Sequence, residues 1–110
     1  MGAESELQLV LSTCPADYAQ GLADALVTEG LAACVNILPG LRSVYQWKGE
    51  LCRESESLLL IKTTSAAYPV LEARLSELHP YDVPEIIALP VQTGLAGYLD
   101  WVQQSVVTNS

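Results

Sequence analysis

The chain has 110 residues, half of them hydrophobic, and a formal net charge of −8. This length suits a single domain with its own core, which we expect to span residues 1–110, and the apolar content is too high for a disordered chain. The five basic residues form no patch that would bind phosphates, so nucleic acid is not an expected partner. A membrane is not expected either, because no apolar run approaches the roughly 20 residues of a membrane span.

The first elements along the chain read as a strand, a helix and a second strand. The opening residues, MGAESELQLVL, carry acids where a signal peptide needs positive charge, which favours a cytoplasmic protein. Residues 6–13 are largely apolar and predict a strand, and apolar residues at helical spacing follow. Pro15 suits the first turn of that helix and Gly30 suits its end. The run LAACVNILP, residues 31–39, predicts the second strand.

A hairpin is predicted next, over residues 42–53, because Lys48 and Gly49 separate two strand-like runs. Tyr45 and Trp47 fall on the same face of this hairpin. Amphipathic aromatic side chains of this kind are common in subunit interfaces. We therefore predict that both side chains lie at a contact between subunits.

The second half of the chain repeats the order of the first. The apolar run over residues 58–63 predicts a strand, and Ser65 is a candidate cap for a second helix. Residues 83–91 predict the last main strand. A short amphipathic helix is predicted over residues 95–106.

The two halves also match at an offset of 50 residues, always at the same stage of a strand–helix–strand unit. The identical pairs are Leu9 and Leu59, Thr13 and Thr63, Ala16 and Ala66, Tyr18 and Tyr68, Ala23 and Ala73, and Ile37 and Ile87. Two such units in one small sheet predict an α+β fold, a ferredoxin-like (split βαβ) sandwich. The runs LLLIK and EIIAL are apolar on both faces, so the sheet face away from the helices must be buried too. The final helix is too short to bury that face alone, and we infer a homo-oligomer.

The segment HPYDVPEII, residues 79–87, holds the only histidine of the chain. Pro80 and Pro84 fix a corner between a helix and a strand, since proline restricts both itself and the residue before it. One interpretation makes His79 and Glu85 a metal-binding pair, because imidazole suits copper and zinc and a carboxylate adds negative charge. The other is structural: His79 satisfies the last carbonyls of the helix, and Glu85 accepts a hydrogen bond from a neighbouring subunit.

Several other side chains are candidates for chemistry or for a structural role. Lys62 follows an apolar strand and either neutralises an anion between subunits or pairs with a carboxylate. Cys14 starts a helix and would be a reactive thiol if exposed, because a helix N-terminus lowers a thiol pKa; its alternative is an ordinary helix residue. Cys34 lies in an apolar run and is predicted to be buried and inert. Glu54 and Glu56 alternate with serines and predict a solvated edge.

Catalysis is not predicted. The chain has a single histidine, no serine in a nucleophile elbow and no glycine-rich phosphate loop. The three cysteines show no zinc-finger spacing, and their odd number indicates free thiols.

Five segments occur in order along the chain: LAACVNILPG, SVYQWKGEL, LLLIKTT, HPYDVPEIIALPV and YLDW. Together they resemble the CutA family of divalent-cation tolerance proteins, and the resemblance runs from about residue 7 to residue 106. It implies a trimer of ferredoxin-like subunits whose extended hairpins pair between subunits. It also implies a cytoplasmic protein linked to metal tolerance, with copper binding and no established reaction.

The resemblance extends to proposed metal ligands. The copper ligands proposed for a bacterial relative are a cysteine on the first strand, a histidine and a glutamate. The last two fall on His79 and Glu85, whereas Leu11 occupies the cysteine position and Cys14 lies three residues further on. The resemblance therefore implies two of the three ligands.

The sequence thus predicts a trimeric, cytoplasmic, non-enzymatic protein that requires no cofactor and binds a divalent cation, Cu²⁺ or another. One alternative is a PII-like trimer that binds a small anionic metabolite in a cleft near Lys62, Tyr81 and Glu85. The long mobile loop of such sensors is hard to reconcile with a tight turn at Lys48 and Gly49. A further alternative is a stable scaffold that docks another protein.

Overall fold

The computed structural model describes residues 6–107 and has an α+β architecture. Residues 1–5 and 108–110, which complete the predicted domain, lie outside this range. The elements in chain order are β1 (Leu7–Cys14), α1 (Ala16–Thr28), β2 (Cys34–Trp47), β3 (Glu50–Thr64), α2 (Tyr68–Leu78), β4 (Ile86–Pro90) and α3 (Ala96–Ser105). The sheet order is β2-β3-β1-β4 with antiparallel neighbours, so β3 separates the two strands of the first unit. The predicted ferredoxin-like split βαβ fold is confirmed.

The core lies between one face of the sheet and the helices α1 and α2. Its sheet side consists of every second residue of β1 and β3, as the pleat requires, and its helix side consists of apolar residues at helical spacing. The fully buried members include Val10, Leu59 and Ile61 from the sheet and Leu26, Leu71 and Leu75 from the helices. Burial of this cluster fixes which face of the sheet is covered by α1 and α2.

The predicted hairpin is the outer half of two long strands, so it continues the sheet without a break. Lys48 and Gly49 form its turn with φ values of 53° and 81°. Two consecutive positive φ values are typical of the tight turns whose twist matches that of the flanking strands. The strand register shifts between Leu38 and Leu41, where Gly40 has a φ of 80°. This irregularity is a bulge at the base of the hairpin.

Two predicted strands are shorter at their ends than the sequence indicated. β2 begins at Cys34, and not at residue 31, because the N–H groups of Leu31 and Ala32 bond to the Leu26 carbonyl and complete the end of α1. The last strand was predicted over residues 83–91 but occupies only Ile86–Pro90. Residues 80–83 form bends, and β4 pairs only with the stretch of β1 beside it.

The helix starts also differ by a residue or more from the prediction. Pro15 is the N-cap of α1 and precedes its first turn. Ser65 does not cap α2; its hydroxyl accepts a hydrogen bond from the Gln8 side chain. The neighbouring Thr64 hydroxyl accepts one from the Ala67 N–H at 3.1 Å, which shapes the turn before α2. The N-cap of α2 is Ala67, whose own side chain makes no capping hydrogen bond.

The third helix lies on the other side of the sheet, where it contacts β1 and β3. Its Val102 is fully buried but lies outside the cluster formed by α1 and α2. Leu7 and Thr64, which are register partners on this second face, are buried as well. As the sequence indicated, one short helix covers only one end of this face. None of the helices described between residues 6 and 107 is long and apolar enough to cross a membrane.

The rest of the second face, here called the uncovered face, is apolar and partly exposed. Its members, placed there by strand alternation, include Leu9, Leu11, Leu38, Leu58, Leu60, Ile87 and Leu89. Leu38, Ile87 and Leu89 are 53%, 48% and 46% exposed. The same alternation along the hairpin places Tyr45 and Trp47 on this face, where they extend the apolar surface.

Candidate functional site

The corner between α2 and β4 has the form that its prolines predict. His79 is the C-cap of α2 and has extended backbone angles, φ −74° and ψ 142°, because Pro80 follows it. The chain bends through residues 80–83 and enters β4 at Ile86, so Glu85 is the last residue before the strand. The corner thus carries His79 at one end and Glu85 at the other.

The His79 ring is buried and uses both of its nitrogens within the chain. Nε2 lies 2.8 Å from the backbone carbonyl oxygen of Thr13, near the end of β1. Nδ1 accepts a hydrogen bond from the N–H of Tyr81 at 3.2 Å. A carbonyl can only accept, so these partners select the neutral tautomer with the proton on Nε2. The ring therefore ties the corner to β1, and this geometry favours the structural interpretation of His79.

His79 and Glu85 lie in different environments at the two ends of the corner. His79 is 7% exposed, whereas Glu85 is exposed and its side chain makes no hydrogen bond within the described part of the chain. Residues 6–107 contain no group of three or more histidine, cysteine, aspartate or glutamate side chains that could hold a metal ion.

Tyr81, two residues after His79, links the corner to the base of the hairpin. Its hydroxyl donates a hydrogen bond to Glu56 Oε2 at 2.8 Å, and the Ser43 hydroxyl donates one to Glu56 Oε1 at 2.6 Å. Burial and the Glu56 carboxylate together raise the pKa of Tyr81 well above its usual range, with smaller effects from Glu54 and Tyr45. Both oxygens of one carboxylate are thus held by hydroxyl groups from two different parts of the chain.

Glu56 is the functional candidate that the sequence-based interpretation missed. It was predicted to be part of a solvated edge, but only 6% of its surface is exposed. The prediction was wrong because Tyr81, 25 residues further along the chain, covers it. One signal was available: the alternation of β3 that places Leu58 and Leu60 on the uncovered face places Glu56 there too.

Lys62 and Tyr81, the predicted ligand cleft, are not neighbours within one chain. Lys62 lies on β3 opposite Cys34, and its Nζ donates a hydrogen bond to Oδ1 of Asn36. Tyr81 contacts Glu56, which is six residues away from Lys62 on the same strand. At about 3.3 Å per residue, Lys62 and Glu56 are about 20 Å apart along the strand. A cleft containing both would have to form between subunits.

The predicted interface residues are strongly exposed in the single chain, Tyr45 at 43% and Trp47 at 55%. Both belong to the hairpin, which extends beyond the helices and leaves most of its side chains in contact with solvent. Their assignment to a subunit contact stays a prediction. It agrees with the position of these two side chains on the uncovered face.

All three cysteines are free, as their odd number indicated, but their environments differ from the prediction. Cys14 is fully buried, and burial raises the pKa of its thiol, helped by the negative charges of Glu56 and Asp17. A reactive thiolate at the start of α1 is therefore excluded by the fold. Cys34 was predicted to be buried, but it is only half-buried, as is Cys52. The alternation of β1 places Cys14 in the core, whereas the alternation of β2 places Cys34 on the uncovered face.

Comparison with known proteins places the chain in a family. The family described as "CutA1 divalent ion tolerance protein" matches residues 8–105. The divalent-cation tolerance protein CutA of Thermus thermophilus is 52% identical over 99 residues, which are 89% of this chain and 96% of that protein. The human protein CutA is 47% identical over 93 residues, 84% of this chain, but the match spans only 52% of the human protein.

A solved structure agrees with these sequence matches. The PII-like protein CutA from Nostoc, in its apo form, superposes with a TM-score of 0.88 at 35% identity, over 93% of this chain and 99% of that one. The resemblance noted in the sequence is thereby confirmed. The chain belongs to the CutA1 family of divalent ion tolerance proteins.

Proposed function

We propose that the chain assembles as a cytoplasmic homotrimer that binds divalent cations, copper among them, and contributes to tolerance of these ions without catalysing a reaction. Family membership supports the part concerning divalent cations. The single structural observation that carries the assembly is the uncovered face, which a lone chain leaves exposed to water.

The argument for assembly rests on the size and chemistry of this face. Leucine and isoleucine side chains from all four strands line it, and Tyr45 and Trp47 continue it along the hairpin. A largely apolar exposed surface of this kind is typical of an interaction site, since removing it from water is favourable. A second and third copy of the chain present the same face, so closed symmetric assembly covers all of them.

The metal-binding part of the proposal has a geometric condition. His79 can ligate a cation only if Nε2 leaves the Thr13 carbonyl or Nδ1 leaves the Tyr81 N–H. Glu85 has no such restriction, because it is exposed at the end of the corner. We propose that Glu85 contributes to cation binding directly, and that His79 holds the corner in place. With so few ligands per chain, binding is weak and poorly selective.

Calorimetric titration of the purified protein with Cu²⁺ and Zn²⁺ tests this proposal. Glu85→Gln should weaken Cu²⁺ binding by about tenfold, the size of effect that loss of a ligand or its support commonly has, without lowering the melting temperature. His79→Ala should lower the melting temperature, because it removes one buried and one partly buried hydrogen bond, and should change Cu²⁺ affinity less than Glu85→Gln does. Asp100→Asn, an exposed acid on α3, is the matched control for loss of one charge.

The outcomes separate the two interpretations of the corner. A tenfold loss of Cu²⁺ affinity in His79→Ala, with an unchanged melting temperature, would make His79 a ligand and contradict its structural role. Equal Cu²⁺ affinity in the wild type, Glu85→Gln and Asp100→Asn would remove the corner from any metal site.

A second candidate function is binding of a small anionic metabolite between subunits, near Lys62, Tyr81 and Glu85. It is favoured by the position of Lys62, a half-buried basic residue on the uncovered face, and by the likeness to a protein described as PII-like. Against it, the two-residue turn at Lys48 and Gly49 closes a regular hairpin at a place where a sensor of that class uses a long loop. A panel of small anions in the same calorimetric experiment tests this candidate.

A further inference from the structure

We propose that Lys62 of one copy of the chain forms an ion pair with Glu56 of a neighbouring copy, across the uncovered face. This inference rests on the proposed homotrimer and adds to it a specific polar contact that fixes how two copies align. Four observations lead to it: the surroundings of Glu56, those of Lys62, the positions of the other basic residues, and the distance between the two along β3.

Glu56 is a buried carboxylate whose partners are both neutral. Ser43 and Tyr81 hold its two oxygens with short hydrogen bonds of 2.6 and 2.8 Å. The salt bridges within residues 6–107 all belong to Arg74, so no cation in this part of the chain pairs with Glu56. A carboxylate removed from water is stabilised most effectively by a cation, and here its orientation is fixed before the cation arrives.

Lys62 is a basic residue whose hydrogen-bond partner is also neutral. It is half-buried on the uncovered face, where its cross-strand partners are Leu9 and Cys34, and it donates a hydrogen bond to the neutral amide oxygen of Asn36. Covering this face with another copy removes more water from the ammonium group. Lysine is almost never fully buried without a paired charge. The neighbouring copy should therefore bring a carboxylate to Lys62.

The other basic side chains are less well placed to form an ion pair with Glu56. Arg42 and Arg53 alternate with the residues of the uncovered face and so lie on the opposite side of the hairpin. Arg74 on α2 is engaged by Glu29 and Glu77. Lys48 lies in the hairpin turn. Lys62 is the basic residue that strand alternation places on the same face as Glu56.

The two groups cannot meet within one chain. They are six residues apart on a single strand, which corresponds to about 20 Å at about 3.3 Å per residue. Two copies that pack through the uncovered face, with one displaced along the direction of β3, can bring Lys62 of one against Glu56 of the other. In a closed ring the same contact would recur at each interface.

A double-mutant cycle on the assembled protein tests the pair. Lys62→Met and Glu56→Gln should each raise the trimer dissociation constant by about tenfold, and the double variant should be no weaker than the weaker single variant. Glu54→Gln is the matched control, because Glu54 is two residues from Glu56, lies on the same face and is exposed. Its effect should be small and should add to that of Lys62→Met.

Independent, additive effects of Lys62→Met and Glu56→Gln in a protein that remains trimeric would overturn the ion pair and leave the proposed assembly standing. A wild-type protein that sediments as a single chain would overturn both. Binding of a small anion that survives in Glu56→Gln but is lost in Lys62→Met would assign Lys62 to that anion and also overturn the pair.

Discussion

Tyr81 and Tyr68 each donate a hydrogen bond to a glutamate, at 2.8 and 2.7 Å, but in different surroundings. The Tyr81 bond reaches buried Glu56, whereas the Tyr68 bond reaches exposed Glu72 within α2. Removing a donor from a buried charged acceptor costs about 1–3 kcal/mol, because the acceptor loses its partner without regaining water. An exposed acceptor regains water at once.

We therefore expect Tyr81→Phe to lower the free energy of unfolding by about 1–3 kcal/mol and Tyr68→Phe by less than about 1 kcal/mol. Chemical denaturation of the two variants beside the wild type measures the difference. Equal losses would show that burial of Glu56 is not what gives the Tyr81 bond its importance.

The three thiols also differ in how deeply they are buried. Cys14 is fully buried, with a raised pKa, while Cys34 and Cys52 lie half-buried on the sheet face and hairpin face that we expect neighbouring copies to cover. A thiol-specific reagent at neutral pH should label Cys14 last in the folded protein. Labelling of Cys34 and Cys52 should accelerate when the assembly is diluted or weakened. Fast labelling of Cys14 before unfolding would contradict its place in the core.

The residue scale also shows the limit of prediction from sequence. The fixed backbone of the corner was predictable from Pro80 and Pro84, since their restrictions are local. The partner of His79, the Thr13 carbonyl, lies 66 residues away, and the cover over Glu56 comes from Tyr81. Both depend on tertiary contacts that periodicity along one strand or helix does not encode.

Glycine has two distinct roles at the ends of elements. Gly30 follows α1 with a φ of 76°, and a Cβ there would lie 2.6 Å from Val107 Cγ2; its carbonyl also accepts the Val107 N–H. Gly49 in the hairpin turn has a φ of 81°, but a Cβ would meet nothing within 4 Å. Both positions disfavour an L side chain, and only Gly30 adds a steric conflict.

Gly49→Ala should therefore lower the free energy of unfolding by about 1–2 kcal/mol, the backbone effect alone. Gly30→Ala should lower it by at least roughly 1 kcal/mol more, because Val107 and the chain after α3 must move. Thermal or chemical denaturation compares the two. A smaller loss for Gly30→Ala would mean that the close approach of Val107 is not maintained.

The hairpin is the element whose role depends most on other copies. Trp47→Ala should weaken assembly by about 2 kcal/mol, as truncation of an aromatic interface anchor does. Val44→Ala is the matched control: it is in the same strand and is 63% exposed, but it alternates onto the opposite face. The dissociation constant of each variant measures the effect. Equal losses would show that the hairpin faces are not distinguished in the assembly.

Element order and type could be predicted because each depends on local patterns. Helical spacing, two-residue alternation and the positions of glycine and proline gave every helix and strand of the described chain. Boundaries shifted where individual hydrogen bonds decide them: local bonds at Leu31 and Thr64, and a tertiary bond at Ser65. The sequence predicted the second strand and the hairpin as separate elements. In the structure they form one strand, β2, which continues past a bulge at Gly40.

At the scale of the whole molecule, the described chain is elongated. Its extents are 49 × 26 × 22 Å and its radius of gyration is 14.8 Å, whereas a compact domain of this size has a radius of about 13 Å. The projecting hairpin accounts for the length, and most of its side chains are exposed. A shape with an extended ribbon and an apolar sheet face is what a subunit of a larger assembly requires.

The mass of the protein in solution tests this account most directly. Sedimentation equilibrium at micromolar concentration, without added metal, should give a mass three times the 11.8 kDa of the chain. The same experiment on Trp47→Ala should show a mixture with smaller species, while Val44→Ala should remain fully assembled. A wild-type protein that stays soluble at 11.8 kDa over the whole concentration range would contradict the account, because the uncovered face would then be stable in water.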